Sequence, residues 1–170
     1  SGIRPAEPGR SPPHRFCAYA PGSRKPELRN ETYQDLGLAV PQPEINENFM
    51  RVKDYATFFR ILFNSSYLNG QMSEKALEIM AKTEFKKGLV AGVPADIVVS
   101  HKFGERTYQS EGDQEKKQLH DCGIVYYPKQ PYLLCLMTRG ENFSELAEII
   151  KEISSLVYKE IDERRSVLIK

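Results

Sequence analysis

Apolar residues first recur with a helical period between Val52 and Phe63. Val52, Tyr55, Phe59 and Leu62 keep the i, i+3, i+7 spacing of a buried stripe, and Phe58 and Phe63 widen it. The spacing predicts a helix over 52–63, with Asp54 in the first turn, where it favours the helix dipole, and Asn64-Ser65-Ser66 as its end. A second helix is predicted over 74–82. Ser73 stands at its N-cap, and Ala76, Leu77, Met80 and Ala81 form its apolar side. Gly88 to Pro94 then reads as a loop with two glycines. From there the period changes to two. Ile97, Val99, His101 and Phe103 share one side of a strand, and Val98, Ser100 and Lys102 share the other. A polar connection over 105–118 leads into strands over about 118–127 and 132–139. Leu133 to Met137 is apolar on both sides, as a strand covered on both faces should be. Short connections make the three strands antiparallel. A helix over 143–163 closes the pattern. Asn142 and Glu145 have capping-box spacing, and Leu146, Ile149, Ile150, Ile153, Leu156, Val157 and Ile161 form a wide stripe.

Ahead of these elements the pattern disappears. Residues 1–30 hold six prolines and three glycines among several arginines. Such a segment buries too little apolar surface to offset the entropy of ordering, so it is expected to be disordered. Residues 31–38 fit a short helix ended by Gly37, and Pro41 and Pro43 force an extended path after it. The domain therefore spans 31–165. Its class is α/β, in the α+β sense of an antiparallel sheet packed by helices.

Composition narrows the picture modestly. The 170 residues are 40% hydrophobic and 28% charged, with a net charge of +1. That is enough chain for one core, and it carries no global field of the kind a nucleic-acid binder uses. No apolar run approaches the roughly 18 residues a membrane span needs. No signal peptide opens the chain, which starts Ser1-Gly2 without a methionine. Cys17, Cys122 and Cys135 are an odd number and cannot all pair internally. A hairpin turn at Pro128–Pro131 would set Ile124 opposite Cys135 and Cys122 opposite Met137. The two strand cysteines would then be diagonal neighbours at roughly 7–8 Å, too far for a disulfide, and free buried thiols are expected.

The candidate chemistry gathers on Lys102-Phe103-Gly104. A strand edge pairs with an extended ligand, the lysine sets a fixed positive charge beside a carboxylate or oxyanion, and the glycine permits close approach. His120 and Arg139 fall on the two following strands, where one can face a ligand and the other steer a carboxylate. His120, Asp121 and Cys122 alternate faces and cannot share one metal, and no metal or cofactor is expected.

In order, the chain runs helix, helix, GLVAGVP, a strand ending HKFGE, LHDCGIVYYP, YLLCLMTRG and an amphipathic helix. Over roughly residues 49–162 this order resembles the C-terminal part of the penicillin-recognising serine hydrolases, closest to the class A β-lactamase type. The resemblance implies a partial β-lactamase or DD-peptidase-like fold, β-lactam or cell-wall peptide ligands, an acyl-serine reaction in the intact parent and a periplasmic or secreted location. It carries Lys102 and Gly104 onto the family's Lys-Thr-Gly strand, with Phe103 in the place of a threonine whose hydroxyl would bind the substrate carboxylate. The family's reaction also needs Ser-x-x-Lys and Ser-Asp-Asn. Neither stands in these 170 residues. Thr83-Glu84-Phe85-Lys86 has the first spacing with the wrong nucleophile, and Tyr67-Leu68-Asn69 imitates a variant of the second, but both come too late in the chain. Glu44 and Asn48 echo the pair that positions a deacylating water. No residue is therefore assigned as catalytic, and a chain without turnover is expected. The alternative expectation is a non-catalytic cell-wall-binding or structural module that keeps the fold. A third is an unrelated α+β interaction domain.

Overall fold

The computed structural model describes residues 26–40, 50–109 and 114–168. The elements follow in the order α1 (Pro26–Asp35), α2 (Val52–Phe63), α3 (Gly70–Ala81), a 3₁₀ turn (Leu89–Gly92), β1 (Val99–Gln109), β2 (Glu115–Val125), β3 (Tyr132–Gly140) and α4 (Phe143–Leu168). The strands form one antiparallel sheet in the order β1-β2-β3. Part of the proline-rich stretch expected to be disordered is thus helical. Pro26 opens α1, where a missing N–H costs nothing, and Gly37, at φ +65°, follows its end. Residues 1–25 lie outside the described residues.

The sheet separates two layers. On one face, α4 and the 3₁₀ turn close over Leu89, Val99, Leu119, Val125, Leu146, Ala147 and Ile150, all buried. Ser154 of α4 donates its hydroxyl proton to the Leu89 carbonyl at 2.9 Å, which ties helix to turn. On the other face, α2 and α3 bring Phe59 and Leu77 onto Cys122 and Ile124. Ser100 of β1 donates to the Leu77 carbonyl at 2.8 Å and fixes β1 to α3. Each layer ties a serine hydroxyl to a backbone carbonyl while burying its apolar stripe, so a buried polar group is paired as the stripe is covered.

The expected helix over 52–63 is present with the same bounds. The second helix begins earlier than expected, at Gly70. Its cap is Asn69, whose side chain accepts from the Met72 N–H at 2.9 Å, whereas Ser73 is buried within the helix. The last helix is capped as expected, with Asn142 accepting from the Ser144 N–H at 2.8 Å, and it runs on to Leu168. The first hairpin is longer than its polar sequence suggests, because β1 and β2 stay paired out to Gln109 and Glu115.

The second hairpin corrects the expected register. Val125 faces Tyr132, so Cys122 sits directly opposite Cys135 rather than Met137. The connection holds six residues, from Tyr126 to Pro131, because an inner turn closed by Gln130 N–H to the Tyr127 carbonyl sits inside a wider one. That wider closure shifts the strand pairing by two positions. The cysteines, expected to be free, are instead joined as a disulfide with Cα atoms 3.9 Å apart.

Candidate functional site

On the face covered by α2 and α3, the strand residues form successive rungs: Lys102–Cys122–Cys135, Gly104–His120–Met137 and Arg106–Gln118–Arg139. The α2–α3 layer packs on Cys122 and Cys135 of the first and leaves Lys102 exposed. Beyond it, the sheet, α1 and α2 enclose a groove of about 690 Å³, whose walls include Tyr33, Tyr55, Phe58, Lys102, His120, Met137 and Arg139.

His120 occupies the groove floor because Gly104 has no side chain. A methyl group at Gly104 would overlap the imidazole Cε1. With that space free, the ring lies across β1 and meets Tyr55 edge-on, centroids 5.0 Å apart. Burial lowers the His120 pKa, the Lys102 ammonium lowers it further, and Asp121 opposes both. The imidazole is therefore neutral near pH 7, with one ring nitrogen to donate and one to accept. Tyr55 is pushed up to about 12, first by burial and then by the field of Asp121. It remains a neutral phenol at any physiological pH.

Lys102, His120 and Arg139 thus line one groove, and Gly104 leaves the room that the His120 ring fills. Phe103, singled out with them, points the other way. Its ring stacks on Phe85 at 4.2 Å in the layer under α4. The cause is strand alternation: with Lys102 and Gly104 facing α2, the residue between them faces the opposite layer. Lys102 stays exposed, and its ammonium donates to the Phe103 carbonyl at 2.5 Å. The two imitations of family motifs are occupied elsewhere. Thr83 turns its hydroxyl onto the Met80 and His101 carbonyls at 2.7 and 3.0 Å, and Asn69 caps α3. Glu44 and Asn48 lie outside the described residues.

One pair escaped the sequence reading. His101 and Asp121, both fully buried on the α4 side, meet at 2.7 Å between Nδ1 and Oδ1. The second carboxylate oxygen accepts the Leu89 N–H at 3.0 Å. A carboxylate accepts only, so Nδ1 donates, and Nε2 has no hydrogen-bond partner among the described residues. The pair pins β1, β2 and the 3₁₀ turn together one residue from Lys102. The signal was available: His101 falls on the same side as Val99 and Phe103, and an ionisable residue on a core face requires a partner.

Among the described residues no group of three or more His, Cys, Asp or Glu side chains is arranged to hold a metal ion. No described helix is long and apolar enough to cross a membrane.

Comparisons place this architecture. A family model described as the beta-lactamase enzyme family matches residues 22–161. Among solved structures, a representative of class A beta-lactamase from Bacteroides cellulosilyticus is similar at a TM-score of 0.64 and 23% identity, covering 79% of this chain and 53% of that one. The extended-spectrum beta-lactamase TLA-1 is similar at 0.62 and 18% identity, covering 77% and 52%. PBP-A, as an acyl-enzyme complex with penicillin G, is similar at 0.61 and 22% identity, covering 79% and 50%. The chain thus spans about half the length of these structures. No curated protein matches it.

Proposed function

The chain belongs to the beta-lactamase enzyme family, and from that premise we propose that it forms the Lys-x-Gly wall of a serine hydrolase site that takes β-lactams or cell-wall peptides. One observation carries the reading. Lys102 is exposed on the outer strand of the sheet, beside a groove that also holds His120 and Arg139. The ammonium supplies the fixed charge that a ligand carboxylate needs, and the outer edge of β1 offers backbone partners to an extended ligand. Gly104 and His120 shape the floor beside it. Phe103 contributes from the far side, holding the strand against the core through Phe85. The carboxylate-binding hydroxyl is missing from that position, so the ligand depends on Lys102 and the groove for its anchor.

In the intact parent a serine attacks the carbonyl and forms an acyl-enzyme. These 170 residues contain no serine with a lysine three positions on, so the chain binds without turnover. The disulfide supports an extracytoplasmic setting, where such bonds persist. A second reading, a non-catalytic binding or structural module, draws on the two apolar layers closed around one sheet.

The test pairs a chromogenic cephalosporin assay with calorimetric titration of penicillin G and a peptidoglycan stem peptide. Saturable binding that Lys102→Gln weakens about tenfold, with no hydrolysis, is the expected result. Hydrolysis would overturn the absence of turnover. Binding indifferent to Lys102 would overturn the site.

A further inference from the structure

The groove presents positive charge at two separate ends. Lys102 belongs to the first rung on this face and Arg139 to the third, with Gly104, His120 and Met137 between them. Both side chains are exposed, and neither makes an ion pair with any described residue. Each is held by a neutral group instead. The Lys102 ammonium donates to the Phe103 carbonyl at 2.5 Å, and the Arg139 guanidinium carbon lies 5.7 Å from the centroid of the Tyr108 ring. Such contacts steady a cation without cancelling its charge. Ordinary strand rise and spacing set the two backbone positions about 13 Å apart along the strands and about 10 Å apart across them. One small anion cannot touch both.

Between these ends the groove is uncharged. His120 stands in the middle rung, kept neutral near pH 7 first by burial and then by the Lys102 charge, and its ring nitrogens bond to no described residue. One nitrogen donates and the other accepts, and an amide offers the matching acceptor and donor. Tyr55, against the same ring, stays a phenol. Glu105 is the one carboxylate among the groove's described walls. It is in phase with Phe103, and strand alternation turns its side chain to the opposite face. From Lys102 to Arg139 the groove therefore offers a cation, a neutral donor and acceptor, and a second cation. Its volume of about 690 Å³ admits a short extended chain.

We propose that this groove binds a short peptide-like dicarboxylate, with one carboxylate on Lys102, an amide beside His120 and the second carboxylate on Arg139. The site so defined rests on the reading of Lys102 as a carboxylate anchor and narrows the ligand that the anchor serves. A ligand with one carboxylate fills one end only. A peptide with a free C-terminus and a second acid several residues away reaches both.

The experiment titrates the ¹⁵N-labelled chain near neutral pH with N-succinyl-triglycine, a dicarboxylate with three amides that spans about four residue lengths, roughly 13 Å. Its two monoamides, one capped at each end, and free succinate are the controls. The amides of Gly104, His120 and Arg139 should shift and saturate with the dicarboxylate, and each control should bind about tenfold more weakly. Lys102→Gln and Arg139→Gln should each weaken the dicarboxylate about tenfold, and a monoamide should respond to only one of the two. Succinate or a monoamide matching the dicarboxylate would overturn the two-ended site. His120→Phe keeps a ring against Tyr55 and removes both nitrogens, so unchanged affinity in that variant would overturn the amide-bearing middle. Weakening by Lys102→Gln but not by Arg139→Gln would sink this site and leave the Lys102 anchor standing. Indifference to Lys102→Gln would sink the anchor itself, and this site with it.

Discussion

His120 owes its position to an absence. Gly104 clears the space its ring occupies, Tyr55 covers it, and Lys102 stands within range of its charge. Burial and the ammonium both disfavour imidazolium, so the folded-state pKa lies below the usual value near 6.5. The sign of the linkage follows. Above about pH 6.5 the ring is neutral folded and unfolded, and it adds nothing to the pH dependence. As pH falls below that value the unfolded chain takes up a proton that the folded chain refuses. Stability is therefore lost on acidification through this window and levels off once the folded ring also protonates. Urea midpoints at pH 7.5, 6.5 and 5.5 should fall more steeply for the wild type than for His120→Gln. Parallel slopes would show that the ring titrates as freely in the fold as in solution.

At the scale of elements, β2 and β3 are joined both by their ladder and by the Cys122–Cys135 bond, 13 residues apart. Closing a loop of that length in the unfolded chain corresponds to about 3 kcal/mol by the chain-entropy estimate. Reduction, or the Cys122→Ala/Cys135→Ala pair, should lower the unfolding free energy by roughly that amount, read from urea melts with and without reductant. Equal midpoints, with alkylation confirming free thiols, would remove the bond's stabilising role. This bond also marks the limit of what was legible in the chain. Periodicity located α2, the three strands and α4, because each buries one stripe or face and the stripe is written in the residues. The register of β2 on β3 depends on how the backbone closes over Tyr126–Pro131, and that closure leaves no periodic trace. The same holds for the cap of α3. Asn69 and Ser73 are both good N-caps by residue type, and only burial decides between them. Lys102, His120 and Arg139 could be collected from strand phase, while the Arg106 rung needed the register, and the His101–Asp121 pair needed both register and the 3₁₀ turn.

At the scale of the whole molecule, the described residues are organised by one sheet with two dependent layers. Phe59 and Leu77 pack on one face of β2, and Ile150 and Leu146 pack on the other, so neither layer keeps its floor if the sheet dissolves. Two outer strand edges limit this sheet, and a three-stranded sheet without cover on either face would be marginal in water. The layers should therefore unfold together. Phe59→Ala and Ile150→Ala each open a cavity in a different layer and should each cost about 3–4 kcal/mol. Nine tyrosines and no tryptophan make tyrosine emission a convenient probe. Tyr33 and Tyr55 report the α2 face, and Tyr132 and Tyr158 report the α4 face. Far-ultraviolet dichroism and tyrosine emission should trace one coincident transition in both variants, displaced to lower denaturant. If Phe59→Ala instead released the α2 layer first, with helix signal lost ahead of the remaining tyrosine signal, the two layers would be separate folding units. The groove between α2 and the sheet would then open without global unfolding, and Lys102, His120 and the arginine rung would be held together only part of the time.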